Sequence, residues 1–78
     1  MPFSSEVKKA RLSTFMNQTE FAQALGVSFT TVNRWENGKA QPNLRAMKAL
    51  KAFCLERGYP YELLEKSWQK VMLDGAQS

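Results

Sequence analysis

Seventy-eight residues with 11 Lys and Arg against 7 Asp and Glu, a net charge of +4 and a pI near 9.5, support one domain over the whole chain, with a single modest core and no room for a second, and favour a polyanionic partner. One cysteine, Cys54, excludes an internal disulfide and a multi-cysteine zinc site and fits a reducing, cytoplasmic compartment. No apolar run approaches the roughly 20 residues of a membrane span, and Met1-Pro2-Phe3-Ser4-Ser5 lacks the charged-then-apolar layout of a signal peptide.

A first helix is expected over about Ser5 to Leu12, where good helix formers place Val7 and Arg11 on one face. Phe15 and Met16 follow and are expected to fill core space beside Phe21 and Trp35, with Met16 stapled to Phe21 across the next helix start. That start is marked by Asn17 and, three residues on, Glu20, a capping-box pair that begins helix 2 at Gln18. Phe21, Ala22 and Leu25 recur at helical spacing, and Gly26 stands where a left-handed residue ends a helix. Ser28 caps a third helix from Phe29 to about Glu36, closed by Asn37-Gly38, two residues tolerant of positive φ.

Two short helices joined by a tight turn, from Asn17 to Gly38, make a helix-turn-helix. Projected at about 100° per residue, Val32 and Trp35 fall on the packing side of helix 3, and Phe29, Thr30, Asn33 and Arg34 fall broadly on the other. Lys39-Ala40-Gln41-Pro42 connects to a fourth helix over about Leu44 to Arg57, capped by Asn43 and ended by Gly58. Its apolar stripe is Leu44, Met47, Leu50 and Cys54, with Phe53 adjoining. Tyr59-Pro60 opens a fifth helix, about Pro60 to Leu73, with Pro60 in its first turn and a stripe of Tyr61, Leu64, Trp68, Val71 and Met72. The polar tail Asp74 to Ser78 is expected to fray. The expected class is all-α, with five helices and no strand.

The gapless run Gln18-Thr19-Glu20-Phe21-Ala22, Gly26-Val27-Ser28 and Val32-Asn33-Arg34-Trp35-Glu36-Asn37-Gly38-Lys39 resembles the lambda-repressor-like (Cro/CI, or Xre) DNA-binding domains. The likeness covers about Ser5 to Leu64 and places Ala22, Gly26 and Val32 where the two motif helices cross closely. It implies a sequence-specific transcriptional regulator, a repressor of bacterial or phage type, that binds double-stranded DNA with helix 3 in the major groove. Phe29, Thr30, Asn33 and Arg34 would then be the base-reading residues. Arg34 suits a bidentate contact to guanine or, equally, a phosphate; Thr30 suits a hydrogen bond or a thymine methyl; Asn33 suits adenine. Phe29 suits a thymine methyl or packing against the Thr19 and Gln23 side of helix 2.

The resemblance further implies phosphate contacts from Gln18 at the helix 2 N-terminus and from Asn17, Asn37 and Lys39, with Arg45 added near the start of helix 4. Capping and turn geometry account equally for Asn17 and Asn37. Glu36 lies at the C-terminal end of helix 3, where the dipole disfavours a carboxylate, and the family pairs the matching position with a helix 1 arginine, here Arg11. Members of the family often end helix 1 with a glycine before the motif, whereas this chain has Thr14-Phe15-Met16, where an aromatic residue at positive φ would be strained, so a different exit from helix 1 is expected.

An enzyme is not expected: histidine is absent, Cys54 has no partner base, the glycines form no phosphate-cradling loop, and no cofactor or metal is implied. The alternative within this fold is a protein-binding module of the antitoxin kind, whose partner would be a toxin or co-regulator. Trp68, Val71 and Met72 extend helix 5 beyond what a minimal domain has to cover, and they are read as the contact of a weak homodimer. The competing reading folds Trp68 into the monomer core.

Overall fold

The computed structural model describes residues 2–77, with side chains described as far as Leu73. It holds α1 (Phe3–Ser13), α2 (Gln18–Leu25), α3 (Phe29–Glu36), α4 (Leu44–Arg57) and α5 (Glu62–Gln77), and no strand among the described residues. Helix α1 packs against α3 and α5, and α2 packs against α3 and α4.

α1 starts earlier than expected. The Pro2 carbonyl accepts from the N–H groups of Ser5 and Glu6, and the stripe Phe3, Val7, Ala10 lies buried. Glu6, also in the first turn, is buried with them, its Oε1 3.6 Å from Lys9 Nζ. Phe3 therefore belongs to the core, which the Ser5 start had excluded. The rest of the core comes from Phe21, Ala22 and Leu25 of α2, Val32 and Trp35 of α3, Met47, Leu50, Phe53 and Cys54 of α4, and Leu64 of α5. Phe21 and Phe53 meet edge-to-face at 5.1 Å between ring centroids, the arrangement the ring quadrupoles favour.

The helix ends of the motif follow the sequence signals. Asn17 Oδ1 accepts from Glu20 N at 2.8 Å while Glu20 Oε1 accepts from Asn17 N at 3.0 Å, a complete capping box. Gly26 ends α2 at φ 73° and Gly38 follows α3 at φ 71°, whereas Asn37 stays at negative φ. A Cβ built on Gly26 meets nothing within 4 Å, so its glycine answers a backbone angle and not a close helix crossing, which corrects the crossing role expected for it.

Four further expectations change. Phe15 is 94% exposed at φ 59°, so the chain keeps a left-handed exit from α1 with an aromatic residue bearing it, and only Met16 packs on the core. Leu44, the first member of the expected α4 stripe, is 68% exposed, so the buried stripe of α4 begins at Met47. Pro60 lies before α5: Tyr61 provides the first carbonyl of that helix, accepting from Glu65 N at 3.0 Å. At its other end α5 runs on through the backbone of the expected tail to Gln77, while the tail's side chains and Ser78 lie outside the described residues.

Candidate nucleic-acid interface

The outer face of α3 is built by subtraction. Val32 and Trp35 are fully withdrawn into the core, which leaves Phe29, Thr30 and Arg34 exposed and Asn33 partly so. Ser28 starts the helix by accepting from Thr31 N at 3.1 Å, its hydroxyl 2.8 Å from that of Thr31, so Thr31 serves the cap and Thr30 remains outward. Phe29 is half exposed at the first position of the helix.

Beside this face stands the N-terminus of α2. Asn17 takes the N–H of Glu20, and the first-turn N–H groups of Gln18 and Thr19, which have no intrahelical carbonyl to meet, are left for an anion. On the other flank Lys39 is exposed after α3, its own N–H bonded to the Arg34 carbonyl at 2.9 Å. Arg45, second in α4, is exposed and lines a cleft of about 460 Å³ together with Thr31, Trp35, Gln41 and Asn43. The phosphate candidates are thus the α2 N-terminus, Lys39 after α3 and Arg45 in the first turn of α4.

Both acidic residues of the motif are engaged in hydrogen bonds, and Glu36 is in addition paired with a cation. Glu20 is held in the capping box. Glu36, its side chain 4% exposed, accepts from Arg11 Nε at 2.7 Å and from Arg11 Nη2 at 2.9 Å. Those hydrogen bonds hold the Arg11 guanidinium above its ordinary range, against the opposing effect of burial. Among the described residues none of Arg34, Lys39 and Arg45 enters an ion pair, so the positive charge of this surface is uncompensated.

Sequence reasoning missed the side-chain amides that join these parts. Gln18 Nε2 donates to Glu36 Oε1 at 3.0 Å, Asn33 Nδ2 donates to Gln18 Oε1 at 3.2 Å, and Asn37 Nδ2 donates to Asn33 Oδ1 at 3.0 Å. The pairs 18/36 and 18/33 cross between helices, and no local spacing announces such contacts. At the far end of the molecule Trp68, assigned to a free surface, is half-buried against the core and donates its indole N–H to the Pro42 carbonyl at 2.7 Å. Val71 is half-buried there as well, and Met72 is 45% exposed.

With this arrangement in view, comparison with known proteins is decisive. A helix-turn-helix family model matches residues 7–54. The chain belongs to that family, of the Cro/CI (Xre) type. Its five-helix, all-α architecture is consistent with the lambda-repressor-like fold. The chain is also similar to the HTH-type transcriptional activator BcrR of Enterococcus faecalis, 32% identical over 53 residues that cover 68% of this chain and 26% of that protein. It thus spans about a quarter of the length of that curated relative. No solved structure was found to match it.

Cys54 is fully buried, and burial pushes its thiol from 9.0 up to about 11, so it stays protonated and shielded at neutral pH. Among the described residues no group of three or more His, Cys, Asp or Glu side chains could hold a metal ion, and no helix is long and apolar enough to cross a membrane.

Proposed function

We propose that this helix-turn-helix protein is a sequence-specific DNA-binding regulator of transcription that lays α3 in the major groove. The observation that carries this is the outer face of α3, with Phe29, Thr30 and Arg34 exposed while Val32 and Trp35 of the same helix are buried. Arg34 reaches guanine O6 and N7, Thr30 meets an adjacent base edge, and Phe29 covers a thymine methyl. Gln18 and Asn17 on one flank, and Asn37, Lys39 and Arg45 on the other, hold phosphates and set the register.

We read the outcome as repression, which occupation of a promoter can by itself produce. BcrR carries the name of an activator, so the sign of the change in a promoter-reporter strain is the direct measurement. A single recognition helix spans few base pairs, and a two-fold pair of chains doubles the site with half-sites about 34 Å apart. The exposed Met72 on α5, beside Val71, is the apolar contact for that weak homodimer.

Binding profiles over single-base operator variants test the assignment. Arg34→Ala and Thr30→Ala are expected to change which bases are preferred, each contact being worth about 1–3 kcal/mol of discrimination, while Gln18→Ala weakens all sites alike. An Arg34→Ala profile that kept its shape and only moved downward would make Arg34 a phosphate contact. A protein that retarded no duplex at low salt would remove the DNA reading altogether.

A further inference from the structure

The amides between α2 and α3 form a chain with one direction, and that direction is set at its buried end. The Glu36 carboxylate can only accept, and Arg11 already donates to both of its oxygens. The amide that joins them, Gln18, must therefore turn its NH2 inward, which it does at 3.0 Å from Glu36 Oε1. Its carbonyl then faces away, where only a donor can meet it, and Asn33 Nδ2 stands there at 3.2 Å. The same constraint passes on: Asn33 Oδ1 accepts from Asn37 Nδ2 at 3.0 Å, and that NH2 also reaches the Asn33 carbonyl at 2.9 Å. Reversing any one amide would set two carbonyl oxygens, or two NH2 groups, against each other.

This order decides what Asn33 has left to offer. A bidentate pairing with adenine would need the second lone pair of Asn33 Oδ1 to accept from N6 while its remaining N–H donates to N7, on an amide whose plane is already held by the bonds to Asn37 and Gln18. Gln18 and Asn33 each retain one N–H beyond the bond that links them inward. Those two remaining N–H groups stand beside the α2 N-terminus, whose own N–H groups lack partners, and donors suit a phosphate oxygen, whereas the free acceptor at the outer end of the chain is Asn37 Oδ1. From this geometry we infer that Asn33 is a positioning residue: by bonding the Gln18 carbonyl it fixes that amide, so that the remaining Gln18 N–H meets a DNA backbone phosphate, and this is its contribution to binding in place of reading a base. The inference rests on the proposed DNA binding.

Two measurements test it. In the free protein, Asn33→Ala is expected to shift the side-chain amide resonances of both Gln18 and Asn37, since each loses a partner. On DNA, Asn33→Ala is expected to lower affinity roughly three- to tenfold at every single-base operator variant alike, and to add nothing further in a Gln18→Ala background. Loss of discrimination at one base pair only would make Asn33 a base reader and overturn the inference. Losses that simply multiply between Asn33→Ala and Gln18→Ala, or unmoved amide resonances, would overturn the relay while leaving DNA binding intact. A wild-type protein that bound no duplex would bring down the DNA reading and this role for Asn33 together.

Discussion

Phe15 shows how a single residue can be set against its own sterics. A left-handed backbone costs a residue with a Cβ roughly 1–2 kcal/mol, and at 94% exposure the ring recovers little by packing. The turn persists because the bonds around it fix the path from α1 to α2: Thr14 and Phe15 donate to the carbonyls of Arg11 and Leu12, and Arg11 Nη1 donates to the Met16 carbonyl at 2.9 Å. Those bonds belong to a partly buried network, and losing them would cost more than the strain. Phe15→Gly is therefore expected to stabilise the fold by roughly 0.5–1 kcal/mol, the relieved strain less the extra chain entropy glycine loses on folding. A urea midpoint that rises at unchanged slope is the measure; a fall would mean that the ring contributes contacts its exposure hides.

Among the elements, α3 is held by both α1 and α2, and Glu36 at its C-terminal end is where bonds from the two converge. The unpaired carbonyls of that terminus disfavour a carboxylate, and the two Arg11 bonds offset this while tying α1 to α3. With side chains 10% and 4% exposed, the pair is close to fully desolvated, and removing one partner leaves the other buried and uncompensated. Arg11→Met and Glu36→Leu are each expected to destabilise by about 3 kcal/mol, and the double variant by clearly less than the two losses added. Urea melts of the three variants close the cycle, and simple additivity would show that the two groups contribute independently.

At the scale of the molecule, α5 closes the core by packing on α1 and reaching α4 and the connection before it. Leu64 is fully buried, Tyr61 donates to the Met47 carbonyl at 3.3 Å, and Trp68 reaches across to Pro42 in the connection before α4. The apolar side chains of this helix therefore have separate tasks. Trp68→Phe is expected to cost about 1 kcal/mol for the lost hydrogen bond, and Trp68→Ala roughly 2–3 kcal/mol as packing is lost too. Met72→Glu is expected to leave stability within about 0.5 kcal/mol while removing self-association in sedimentation and the preference for a palindrome over a half-site. If wild type and Met72→Glu both sediment as monomers at high concentration, the homodimer through α5 is wrong.

What the sequence determined is what depends on neighbours along the chain. The capping box at Asn17 and Glu20, the left-handed glycine at Gly26, the Ser28 cap and the period that buries Val32 and Trp35 each follow from residues within one or two turns of one another. For that reason the motif and the outward set Phe29, Thr30 and Arg34 were legible before any coordinates. Arg11 and Glu36 stand 25 positions apart and were legible only through the family resemblance. The tertiary structure alone decided matters in which two distant segments compete for one group. Burial of Phe3 and Trp68 depended on what α1 and α5 meet, the left-handed Phe15 on a network closed across the helices, and the direction of the Asn37, Asn33 and Gln18 amides on an acceptor-only carboxylate that comes near them only when α2 and α3 pack.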